Sequence, residues 1–331
     1  MSKILLILSV SLIFLTLFPQ YGRAQGRDNG ENLSLFIVGN SFSNNATHYL
    51  DTIAKENGYV ISISRAEIGG GSLEQHWKAA ETFEYDSLSP AGRPYNGKSL
   101  KMLLNEGKWK IVTLQQYSFL SSDSVSYIPY LKKLCHYIKM AQPEAEILLH
   151  QTWAYRSDSP GFSMIGGSVP ARGQREMWEK SRKMYHHYAS LLGLRIIPVG
   201  DAFWSVDSDK RDGYKKDPVY NFDIPVYPQL PDQKNSLHVG YFWDQNQRFS
   251  FDSNHANDAG CFLGSLVWYA TLFERSPRKV RFQPSDLSPT FAGRLRREAS
   301  NAVKGELNNR RKSRNRIMKS VRSKLSLKAV K

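Results

Sequence analysis

Strand-like and helix-like stretches alternate along this chain, and no other feature narrows its fold as much. Residues 35–39 form a continuous apolar run of the buried-strand type. Helical spacing follows over 45–57, where Tyr49, Leu50, Ile53 and Ala54 recur on one side. Residues 59–65 (YVISISR) alternate with period two, and 72–83 return to helical spacing. Further strands are expected over 109–114, 145–151 and 194–199, and further helices over 100–107, 127–140, 174–192 and 256–273. This alternation predicts an α/β domain built on a parallel sheet. The strand runs show little polar alternation because both faces of such a sheet are covered. Residues 205–248, rich in Asp, Pro and Tyr, break the pattern and read as a long ordered insertion.

In open parallel sheets, ligands bind beyond the carboxyl ends of the strands. Small and polar residues sit at those ends here. Asn40-Ser41 follows the first strand and Gly69-Gly70-Gly71 the second. Gln115-Gln116 follows the third and Thr152-Trp153 the fourth. A parallel sheet brings them to one rim. A serine hydroxyl is a poor nucleophile at neutral pH and needs a base within reach. Asp252-Ser253-Asn254-His255 offers one. Three positions apart in a turn, the carboxylate accepts from the imidazole Nδ1–H and leaves Nε2 free to take the proton of Ser41.

In chain order, "VGNSFS", "IGGGSLEQHW", "LQQYS", "QTWAY", "PVGDAF" and "DSNHANDAG" resemble the blocks of SGNH hydrolases, the GDSL-type esterases and lipases. Their combination is similar to an SGNH-type subgroup described as a domain of unknown function. The resemblance spans residues 33–273 and implies a three-layer α/β/α sandwich with a parallel central sheet. It implies Ser41 as nucleophile, His255 as base and Asp252 as acid, with the backbone N–H groups of Ser41 and Gly70 as oxyanion donors. The glycine position is open by one residue, to Gly69 or Gly71. The chain departs from the family's third block, whose Asn side chain donates to the oxyanion. That role is carried to Gln115, with Gln116 as the alternative. Trp153, Tyr155, His238 and Trp243 are candidates for a sugar subsite, since aromatic faces stack on sugar rings. The expected activity is hydrolysis of acyl esters on a carbohydrate, acetyl being the expected group, with no metal or organic cofactor. A non-catalytic carbohydrate-binding protein and a carbohydrate acyltransferase on the same scaffold are the competing readings.

The two ends carry their own signals. Lys3, the apolar run 4–18 and the small residues around Gly22-Arg23-Ala24 predict a signal peptide over 1–24. The run is short for a spanning helix of about 20 residues. The expectation is an exported protein, secreted or periplasmic, without a transmembrane segment after cleavage, whose hydrolase domain covers 25–290. Residues 291–331 hold 14 Lys/Arg against two Glu, whereas the other 290 hold 31 basic and 28 acidic residues. The formal charge of +15 is therefore a property of a C-terminal tail, expected to be helical or disordered. Its expected partner is an anionic polymer or surface. Nucleic acid is not expected, because the tail is poor in aromatic stacking platforms. Cys135 and Cys261 read as buried side chains rather than a disulfide, and no Cys/His spacing fits a zinc site.

Overall fold

A computed structural model of the chain describes residues 32–162 and 171–329, with side chains described as far as residue 312. The expected signal peptide lies outside the described residues. Five parallel strands form the central sheet: β1 (Asn32–Gly39), β2 (Val60–Glu67), β3 (Ile111–Leu114), β4 (Glu146–His150) and β5 (Arg195–Ile197). Their spatial order is β2-β1-β3-β4-β5. The chain winds one way from β1 to β2 and the other way from β1 to β3, so a crevice opens between the ends of β1 and β3.

Period-two geometry explains the layers. Leu33, Leu35 and Ile37 of β1 join one core, and Phe36 and Val38 join the other. Leu148 of β4 likewise belongs with the first set, and Ile147 and Leu149 with the second. The first core is closed by α1 (Ser41–Thr47), α2 (Leu50–Glu56), α7 (Val199–Asp207) and α8 (Asp258–Phe273). The second is closed by α3 (Leu73–Tyr85), α4 (Leu100–Leu104), α5 (Tyr130–Ala141) and most of α6 (Gln174–Leu192). This is the expected three-layer α/β/α sandwich with a parallel central sheet. Helix α8 is apolar on every side because it is buried from Ala259 to Phe273. It lies so close to α1 that a Cβ at Gly264 would fall 2.7 Å from the Ala46 Cα. No helix among the described residues is long and apolar enough to cross a membrane.

Three local features differ from the sequence expectations. The expected helix over 45–57 is two helices, α1 and α2, and the first begins at Ser41 itself. The 205–248 region ends in β6 (His238–Trp243), which pairs in an antiparallel hairpin with β7 (Phe249–Ala256), so Asp252 and His255 ride on a strand. The basic segment begins inside a 41-residue helix, α9 (Pro289–Ala329). Ala292, Leu295 and Ala299 of α9 are fully buried in the first core. Arg294 donates to the carbonyls of Val206 and Asp212. The expected boundary at 290/291 therefore falls inside this helix. Cys135 and Cys261 are both free thiols, with burial pushing each up to about 12.

Candidate active site

The site starts from the way β1 turns into α1 within one residue. Asn40 has an extended backbone and caps the helix, its Oδ1 accepting from the Phe42 N–H at 3.0 Å. A side chain at Gly39 would meet the Ser43 hydroxyl at 2.6 Å, so only glycine lets the strand end this close to the helix. The Ser41 N–H, on the first residue of the helix, has no intrahelical acceptor. Gly-Asn-Ser is thus a compact strand-to-helix corner that leaves the Ser41 hydroxyl half-buried at the rim.

The hairpin brings the rest of the triad to that corner. His255 Nε2 lies 2.9 Å from Ser41 Oγ, and its Nδ1 lies 2.8 Å from Asp252 Oδ2. The other Asp252 oxygen accepts the backbone N–H groups of Asn254 and His255, at 3.1 and 2.9 Å. One carboxylate oxygen therefore shapes the backbone and the other orients the imidazole. Burial works to raise the Asp252 carboxyl. The hydrogen bonds from the His255 side chain and backbone overcome it and hold the group at about 2. The same bond from Asp252 raises His255 above the ordinary histidine value, against burial. Neighbouring elements fix this segment from outside. Asn45 Oδ1 accepts from the Ala256 N–H, and Trp153 Nε1 donates to the Asn254 carbonyl.

The three glycines after β2 have separate roles. Gly71 donates to the Ile68 carbonyl at 2.8 Å, which closes a turn over 68–71 and engages its N–H. Gly70 has φ +61°, the left-handed conformation that the third turn position requires of a type II turn. Its N–H, like that of Gly69, has no acceptor among the described residues. A Cβ at Gly69 would meet nothing within 4 Å.

The side chains of Gln115 and Gln116 are both buried and bonded to protein partners. Gln115 is buried, its Nε2 donates to Asn40 Oδ1 and its Oε1 accepts from His150 Nδ1 at 2.9 Å. Gln116 is also buried. Its Oε1 accepts the N–H groups of Leu73 and Tyr117, and its Nε2 donates to Ser126. Alternation along a strand suggested that one amide would face the rim. The strand ends at Leu114, however, and both side chains turn inward to hold the surrounding corners. Gln115 holds Asn40, whose Nδ2 in turn donates to the Gly71 carbonyl. Gln116 holds the first residue of α3, whose N-terminus is set by a capping box between Ser72 and Gln75.

The aromatic candidates divide in the same way. Trp153 is 1% exposed, stacked between Phe42 and Phe203, and supports the triad from below rather than lining a subsite. Tyr155 and His238 are buried, and burial lowers His238 to about 4. Trp243 sits at the outer end of the hairpin and donates to the Gln229 carbonyl. Sequence reasoning assigned no role to the side chains of Asn40 and Asn45, which hold the corner and the end of the triad segment by hydrogen bonds. Asn45-Ala46-Thr47 spells a glycosylation sequon, and the side-chain amide oxygen of Asn45 accepts from the Ala256 N–H.

A profile of the family described as domain of unknown function DUF4886 matches residues 34–223. The chain belongs to the DUF4886 family. Its parallel five-stranded sheet, covered by helices on both faces, is a three-layer α/β/α sandwich. Among solved structures, a DUF4886 family protein from Bacteroides uniformis is 20% identical, with a TM-score of 0.62 over 82% of this chain and 95% of that one. A member of the lipolytic G-D-S-L family from Veillonella parvula is 11% identical, with a TM-score of 0.39 over 72% and 97%. A carbohydrate acetylesterase from Sinorhizobium meliloti is 13% identical, with a TM-score of 0.34 over 51% and 85%. A search of curated proteins finds no match.

Proposed function

We propose that this DUF4886 protein is an exported serine esterase, secreted or periplasmic, that removes acyl groups from a carbohydrate. The observation that carries the reading is the unbroken hydrogen-bond chain Asp252–His255–Ser41. His255 takes the Ser41 proton as the hydroxyl attacks the ester carbonyl. Asp252 holds the imidazole in the tautomer that presents Nε2 and stabilises its protonated form. The backbone N–H groups of Ser41 and Gly70 receive the developing oxyanion. His255 returns the proton to the leaving alcohol, and water then releases the acyl group by the same route. One oxyanion donor is typically worth about 10²–10³ in kcat. The acyl group we propose is acetyl.

The sugar side of the reading rests on the apolar leader and on the aromatic hairpin beside the triad. The basic end of the chain fits adhesion to an anionic polymer or surface, with ten Lys/Arg and no acid after Glu306. The test is turnover of p-nitrophenyl acetate and release of acetate from acetylated oligosaccharides by the purified protein, with Ser41→Ala as control. Turnover that survives Ser41→Ala in pure protein overturns the serine mechanism. Transfer of the acyl group to an added sugar, in place of release to water, would assign the acyltransferase reading instead.

A further inference from the structure

We propose that Arg156 is the positioning residue of the acid–base pair: buried behind β7, it ties the aromatic insertion to the residues on both sides of Asp252. The geometry stands by itself, and the effect on turnover rests on the esterase reading. Arg156 follows β4 and is 1% exposed. Its Nε and Nη2 grip the Asp158 carboxylate at 2.8 and 3.0 Å, a forked pairing that lysine cannot copy. Its Nη1 donates to Gln233 Oε1 at 2.7 Å. The guanidinium lies 4.2 Å from the ring centre of Tyr214, 4.8 Å from Phe251 and 5.1 Å from Tyr241. Tyr214 closes the cage by donating to Asp158 Oδ2 at 2.9 Å.

The load on this cage is the segment that carries the acid. Phe251, under the guanidinium, is the residue before Asp252. Ser253, the residue after it, accepts from the Arg156 backbone N–H at 2.8 Å. Gln233 extends the hold to β6, accepting from the Tyr241 N–H and donating to the Tyr241 carbonyl. Room for the guanidinium comes from Gly240, at φ +75°, where a Cβ would fall 2.1 Å from Nη1. Taking a charged pair out of water is costly, and an apolar pair of similar volume often packs as stably. What an apolar pair could not supply is a fork that grips loop, hairpin and strand together. Asp158 is the carboxylate facing Arg156 and Asp252 is the one facing His255; Asp207 on α7, His238 on β6 and the Tyr214 and Tyr241 phenols are further titratable groups that sense the Arg156 charge.

Three variants test this: Arg156→Met with Asp158→Asn, which leaves no unpaired charge; Arg156→Lys; and Ser41→Ala as the activity control. The readouts are the NMR titration of His255 and the rate at which a fluorophosphonate acylates Ser41. In the folded double variant, the His255 titration is expected to fall toward the ordinary histidine value of about 6.5. Acylation is expected to slow by up to about 10²-fold, through kcat rather than KM for any ester turned over. Arg156→Lys is expected to lie between wild type and the double variant, and it decides the matter if the double variant does not fold. A His255 titration unchanged from wild type in a folded variant overturns the proposal. If wild-type protein is never acylated, the esterase reading fails, and the titration still decides the role of Arg156.

Discussion

Asp252 and His255 make the site's pH behaviour predictable. Because Asp252 raises His255, the neutral base form dominates only above the ordinary histidine range. The acid limb of kcat/KM is therefore expected to have its midpoint above about 6.5. Asp252→Asn should lower kcat by about 10⁴-fold, because an amide cannot hold the imidazole in the productive tautomer. The pair also affects stability. A histidine whose folded value is raised adds stability that is complete below its unfolded value and is lost as pH rises through the folded value. Wild type should thus lose part of its melting temperature as pH rises from below 6.5 through that midpoint, and Asp252→Asn should lose less. Gln115 makes a different kind of test. Removing its amide leaves Asn40 Oδ1 and His150 Nδ1 short of a buried partner. Gln115→Ala should therefore cost about 1–3 kcal/mol of stability, measured by urea unfolding. Unchanged stability with kcat lost alone would instead mark Gln115 as an oxyanion donor.

At the scale of elements, the informative contact joins α9 to α6. Glu306 is 6% exposed and faces His186, with 3.6 Å between Oε2 and Nδ1. Burial, with Asp201 adding to it, pushes the Glu306 carboxyl up to about 7. Burial and the Arg182 charge lower His186. Both groups are displaced toward neutrality, so below pH 7 this is mainly a contact between uncharged side chains rather than a salt bridge. A carboxyl raised in the folded state penalises folding increasingly as pH rises from about 4.5 to about 7. Glu306→Gln should accordingly raise the melting temperature by a few degrees at pH 8 and change it little at pH 4.5, read by circular dichroism. An equal shift at both values would mean that the carboxyl is not what destabilises this contact. The hydrophobic pattern of α9 gave no sign of this docking in the sequence, because Ala292, Leu295 and Ala299 are sparse among basic residues. Small side chains allow close approach without producing a strong apolar stripe.

For the molecule as a whole, α9 separates two roles along one helix. Truncation before Pro289 removes Ala292, Leu295, Ala299 and the buried Arg294 from the first core. The exposed faces of α7 and α8 should then aggregate, seen as loss of soluble monomer in size-exclusion chromatography. Truncation after Arg311 removes none of those groups. Melting temperature and ester turnover should stay as in the full chain, while retention on heparin falls and its salt dependence flattens. A large drop in stability on that second truncation would show that the outer helix also packs on the body.

The sequence by itself determined the layer architecture. Strand and helix periods are local properties, and parallel strands covered on both faces leave one way to bury them. The same locality determined the Ser41 corner, the glycine turn and the Asp252–His255 spacing, since each is a short-range arrangement at the end of an apolar run. That the Gly71 N–H is engaged was decided by a turn bond to Ile68, and which way Gln115 and Gln116 point was decided by partners 75 and 43 residues away, Asn40 and Leu73. Polar side chains at a strand end go wherever their hydrogen bonds can be completed, and those partners exist only after the sheet and its helices have closed. The same holds for Arg156, an unremarkable charge in the sequence that became the centre of a buried cage once the insertion folded over it.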